Sequence, residues 1–227
     1  MFRNLFAVAI VIVSPLTSQA QTPAAPALSP LARVEADRAS IAQNREIAVT
    51  IATMRARDQF LRNTLVKGMQ TPGWTQAQIT QYTDELGKDV AALDAENTTT
   101  LKRMLTTRSI VDIVKVGQSV ASDVSLLIIH SQDMAFKAAM VAQLEPLVAT
   151  GELHGSWLAS TIDDLRLDAN QPQRFGNRWK CIGGKHTMTG PPVSVREIER
   201  ARAAWRLEPL ASYRRGIERM YGKCPPA

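Results

Sequence analysis

The chain has 227 residues, 45% of them hydrophobic, and a formal net charge of +6. This is the composition of a folded soluble protein, long enough for one large domain or two small ones around a hydrophobic core. From Arg174 onward there are 12 Lys and Arg against 4 Asp and Glu, a net of +8, whereas residues 21–173 hold 14 against 17, a net of −3. The basic excess is confined to the last quarter.

Met1 to Asn4 carries one positive charge, Leu5 to Val13 is an unbroken apolar run, and Ser18-Gln19-Ala20 is a small-x-small cleavage site. Residues 1–20 therefore read as a secretory signal peptide, too short in its apolar run to remain as a membrane anchor. The expected location is the periplasm or the exterior, with no transmembrane segment after cleavage. Residues 21–30 are Pro/Ala-rich and uncharged, a leader before a domain over 31–227. For an exported chain, the basic C-terminal quarter suits an anionic envelope component, such as lipid, glycan or wall polymer, better than nucleic acid. A solvated surface is the plainer reading.

Helical periodicity dominates from Leu31 onward. Leu31 to Val66 lacks proline, and Ile47, Ile51 and Met54, then Leu61 and Leu65, recur three or four apart. Gly68, Pro72 and Gly73 end that helix, and Thr75 to Gln78 forms a capping box for a second. The second runs to about Leu105, with Leu93, Leu101 and Leu105 on its buried face and a weak point at Gly87. Ser119 to Gln132 is the most apolar helix, striped by Val120, Val124 and Leu127. Asp133 is the expected N-cap of a helix over 134–150 that stops at Gly151, with Pro146 expected to kink it or start a new turn. Residues 156–169 form an amphipathic helix carrying Trp157, Ile162 and Leu165. Residues 170–192 hold no helical stripe, and two short runs around Gly183-Gly184 suggest a β-hairpin near 178–188. A capping box at Ser194 to Glu197 starts a final helix with Ile198, Ala201 and Trp205 inward. The fold class is mainly α, a single helical domain with a small irregular C-terminal part.

No catalytic or cofactor signature stands out. The three histidines are scattered, there is no CxxC pair, and no nucleophile elbow or phosphate-binding glycine loop occurs. No cofactor or metal is therefore expected. Polar residues set on otherwise apolar helices are the remaining signal. Asp58 and Arg62 share one helical face, as do Asp94 and Asn97. His130 closes the most apolar helix, and Asp163 lies on the Trp157 helix. Gln171, Gln173 and Arg174 belong to a rigid turn rich in donors. Convergence of these residues would make a polar pocket with a titratable histidine and several carboxylates. Each also has a plain structural reading: a surface ion pair, a helix-end histidine, or a turn satisfying its own backbone. Cys181 and Cys224 are an even count in an oxidising compartment and should form a disulfide closing a loop of 42 residues.

Several strings together resemble a known family. They are Asp58-Gln59-x-x-Arg62, Asp94-x-x-Asn97-x-x-x-Leu101, Val116-Gly117, His130, Gly151-Glu152, Asp163 and Gln171-Pro172-Gln173-Arg174-Phe175-Gly176. Arg202-Ala203-Ala204-x-x-Leu207-x-Pro209-Leu210-Ala211-Ser212-Tyr213 completes the set. They resemble a bacterial family of uncharacterised domains over roughly residues 56–213. The resemblance implies a mainly helical domain without an established activity. The chain departs from the family's pattern around His130, where Ile129-His130-Ser131-Gln132-Asp133 replaces a Gln-His-Ala-Asp-like string. The leading reading is a binding module with a polar pocket, aided by the basic C-terminal segment; the rival is a hydrolase using His130 as general base with Asp58, Asp94 or Asp163 orienting it, and the third is a structural partner in an envelope assembly.

Overall fold

A computed structural model describes residues 29–221 and Cys224. The expected signal peptide and all but the last two residues of the expected leader lie outside the described residues. The described residues fall into two units, divided between Ala39 and Ser40. In the first, Arg33 and Asp37 form an exposed i,i+4 ion pair. Every buried residue among those described belongs to the second.

Among the described residues there are eight helices and one two-stranded antiparallel sheet. They are α1 (Pro30–Met69), α2 (Gln76–Met104), α3 (Ile110–Val114), α4 (Gln118–His130), α5 (Met134–Thr150), α6 (Ser156–Asp168), α7 (Val195–Ala204) and α8 (Leu210–Tyr221), with β1 (Trp179–Ile182) and β2 (Lys185–Met188) between α6 and α7. The fold is mainly α, as the periodicity indicates. None of these helices is long and apolar enough to cross a membrane.

Local chemistry sets most boundaries. Thr75 and Gln78 close a reciprocal capping box at the start of α2, and Ser194 and Glu197 do the same for α7. Asp133 accepts the Phe136 amide at 2.9 Å and caps α5. Gly151 ends α5 with φ +83°, a conformation that strains any residue with a Cβ. Gly87 does not break α2. Helix α5 also runs through Pro146. That proline and Ala142, whose carbonyl loses its donor, are both exposed, so water can meet the freed acceptor.

Two helices escape the sequence reading. Helix α3 has only five residues, and the capping box of Ser109 and Asp112 is its one local mark. Helix α8 follows a short break after α7, where the periodicity suggests a single final helix. Trp157, placed by periodicity on the apolar side of α6, is 38% exposed.

Helix α4 lies in the centre of the core, with Val124, Leu127 and Ile128 fully buried. Around it pack Ile51 of α1, Leu101 of α2, Ile113 of α3, Leu144 of α5 and Leu158 of α6. In the hairpin Cys181 faces His186, and a disulfide joins Cys181 to Cys224 with Cα atoms 5.4 Å apart. It ties the chain beyond α8 to β1.

Candidate functional site

The apolar stripe of α1, Ile47-Ile51-Met54, continues at the same spacing into Asp58, which is 1% exposed. The stripe of α2 likewise passes through Asp94 and Asn97, each 3% exposed, before Leu101. His130 ends the buried α4. Helix geometry thus delivers two carboxylates and an imidazole into one core-facing space.

They meet through Arg62. Its Nε donates to Asp58 Oδ1 at 3.0 Å and its Nη2 to Asp94 Oδ1 at 2.5 Å. His130 Nδ1 is 2.8 Å from the same Asp58 oxygen, and Gln59 Nε2 donates to Asp58 Oδ2 at 2.7 Å. Burial pushes the Asp58 carboxyl up, but the hydrogen bonds from His130, Gln59 and Arg62 prevail and hold it at about 2, below its ordinary 3.8. Asp58 is therefore ionised and can only accept. For a neutral ring the hydrogen sits on Nδ1 and the lone pair falls on Nε2. Burial raises the Asp94 carboxyl against the pull of Arg62 and His130.

The rim nitrogen of His130 is open. Among the described residues no buried side-chain nitrogen or oxygen lacks a partner, and Nε2 has none there, so it must reach solvent. The nearby hydroxyls are committed. Thr98 donates to the Asp94 carbonyl at 2.7 Å and contacts Ser131 Oγ at 2.9 Å, which in turn accepts the Asp133 amide. Lys102 pairs with Asp133 at 2.5 Å. These contacts fasten the end of α4 to α2 and so fix His130 beside Asp94.

Of the nine polar residues of the expected pocket, seven fall into two networks. Asp58, Arg62, Asp94 and His130 form the first, with Asn97 buried one turn along α2. Asp163, Gln173 and Arg174 form a second, and among the described residues no hydrogen bond or ion pair joins the two. Asp163, fully buried, accepts the amides of Arg174 at 2.7 Å, Phe175 at 2.9 Å and Asn177 at 2.8 Å. Burial pushes its carboxyl up, and those amides pull it down. Gln173 is spent on the carbonyls of Arg178 and Thr189 and on the Arg178 amide. Arg174 pairs with Glu145 at 2.7 Å and lies over Phe175 and Trp205. Gln171 is exposed. The turn is thus held from within, and Gly176, at φ +69°, supplies its left-handed step.

Sequence reasoning missed Arg202, which is 2% exposed and bonds the carbonyls of Phe175 and Glu208 and the Asn177 side chain. An arginine among the charges of α7 carries no local sign of burial. The clustered ligand atoms of Asp58, Asp94 and His130 lie within 4.8 Å of one another, a metal-compatible spacing. The Arg62 guanidinium already bonds both carboxylates, however, and a second cation there would face its repulsion. Cys181, His186 and Cys224 also cluster, but the two sulfurs are bonded to each other.

Fold and site together define a mainly α-helical protein with a buried Asp–Arg–Asp network that presents one histidine nitrogen to solvent. Residues 46–224 match a family described as a family of unknown function (DUF6624), and the chain belongs to it. The match opens one residue before Ile47, where α1 first becomes buried, and contains both networks. No curated protein and no solved structure matches the chain.

Proposed function

We propose that this is an exported protein in which His130, oriented by Asp58, acts as a general base, with water as the nucleophile of a hydrolytic reaction. The observation that carries the reading is the 2.8 Å contact between buried Asp58 and His130 Nδ1 while Nε2 stays open. Asp58 orients the ring and offsets the charge of the imidazolium that forms when Nε2 takes a proton from water. With His130 neutral, the four side chains carry one net negative charge; a proton on the ring brings them to zero. The neighbouring hydroxyls of Thr98 and Ser131 are buried in their own bonds, which leaves water to be activated. Arg62 is compensated by two carboxylates, so its role here is to position them rather than to capture an anion.

Activity against chromogenic esters, amides and phosphoesters tests this. His130→Ala and Asp58→Asn should lose at least 100-fold in kcat/KM with folding retained, a loss typical of a removed general base. Undiminished turnover in His130→Ala, or no turnover of any substrate by the native protein, would overturn the catalytic reading. Export is tested by N-terminal sequencing of the secreted protein, which should begin at Gln21.

A second reading concerns the basic end. Arg196 and Arg200 on α7 are exposed, and among the described residues neither has an acidic partner. They would hold the protein to an anionic envelope component.

A further inference from the structure

A large cavity lies away from His130. It is a cleft of about 700 Å³ among the end of α3, the start of α4, the end of α5, the start of α6 and the end of α7, and none of Asp58, Arg62, Asp94 or His130 lines it. A lobe of about 290 Å³ shares His154, Ser156 and Arg206 with it. The main volume lies within the range of small-molecule sites.

Two kinds of group face this space. Trp157, 38% exposed, supplies flat apolar surface, and the buried Trp205, packed against Phe175, backs the wall. Lys115 and Arg206 supply positive charge. Lys115 is only loosely paired, its Nζ 3.7 Å from Glu152 across the cleft. Among the described residues nothing accepts a hydrogen bond from the Arg206 guanidinium. Its backbone sits at φ +55°, where α7 closes with the Leu207 amide on the Arg202 carbonyl and the Arg206 amide on the Ala203 carbonyl. That is a position where glycine is the usual residue, and a Cβ there costs about 1 kcal/mol. The side chain reaches over Gly151, its Nη1 2.9 Å from where a Cβ on that glycine would stand. Any larger residue at 151 would displace the guanidinium. Helices α4 and α6 add to the field: both begin at the cleft on a glycine without a side-chain cap.

We infer that this cleft binds a small ligand made of a flat ring bearing an anionic group, the ring against Trp157 and the anion at Arg206. The inference is independent of the acid–base reading at His130.

Calorimetric titration with phenyl phosphate and benzoate, against phenol and inorganic phosphate, tests it, with tryptophan fluorescence as a second readout. At least one ring-bearing anion should bind tenfold or more tightly than both phenol and inorganic phosphate, and should quench the tryptophans. Arg206→Gly removes the cation while suiting the positive φ, so it should keep or raise the melting temperature and weaken that binding at least tenfold. Trp157→Ala, at an exposed position, should weaken it as well. His130→Ala should leave it unchanged. Failure of both anions to out-bind phenol and phosphate, or full affinity in Arg206→Gly, would overturn the proposal.

Discussion

Asp58 concentrates the energetics of the candidate site in one carboxylate. Its folded value of about 2 lies below the ordinary 3.8, so its ionised form is bound more tightly in the folded chain. The resulting stability is fully present above pH ~4 and lost as pH falls through about 2, and amounts to roughly 2 kcal/mol by proton linkage. Asp94 is shifted the opposite way and opposes part of that acid loss. Denaturant melts between pH 2 and 5 should therefore show a shallower acid decline in Asp58→Asn than in the native protein, and a steeper one in Asp94→Asn. An unchanged slope in Asp58→Asn would mean that its pairing with His130 and Arg62 adds nothing to folding. Asp163 differs in kind, because its three partners are backbone amides. Replacing it by Asn sets an N–H₂ against at least one of them. The expected cost is about 2–4 kcal/mol in a chemical melt.

At the scale of elements, the caps and the core stripes account for the boundaries. Thr75→Ala removes one side of the reciprocal box on α2 and should cost about 1 kcal/mol. Gly87 sits within α2 with open space where a Cβ would be, so Gly87→Ala should raise stability by about 1 kcal/mol, measured as a higher melting temperature. A destabilised Gly87→Ala would show that the backbone of α2 needs glycine there. The long helices and the hairpin were readable because their periodicity and end signals are local. Helix α3 was not, since five residues complete barely more than one turn. Helix α8 was not separated from α7 because its start rests on a tertiary contact: the Leu210 amide donates to Glu199 of the preceding helix.

For the whole molecule, the disulfide and the basic quarter of the chain make separate predictions. Reducing Cys181–Cys224 releases a loop of 42 residues. It should lower stability by about 3–4 kcal/mol in the chain-entropy account, read from melts with and without reductant. Reversing Arg196 and Arg200 to Glu should weaken co-sedimentation with anionic vesicles, and the native binding should fall as salt shortens the screening length. Retention indifferent to both changes would remove the surface-binding reading.

Fold class, most helix limits, the cysteine pairing and the identity of Asp58, Arg62, Asp94 and His130 as unusual residues were determined by the sequence alone. Each signal is carried by neighbours a few positions apart: apolar spacing, caps, glycine stops, and a charge interrupting an apolar stripe. The grouping of those residues was decided only in three dimensions. Asp163 and Gln173 carry the same local mark as Asp58, yet one set surrounds a histidine and the other locks a turn. Asp58 meets an imidazole 72 positions away because of how α1 and α4 pack, whereas Asp163 meets amides 11 to 14 positions on, where the turn folds back over α6. The cleft at Arg206 likewise has no sequence signature, because its walls come from five helix ends that are neighbours only in the folded chain.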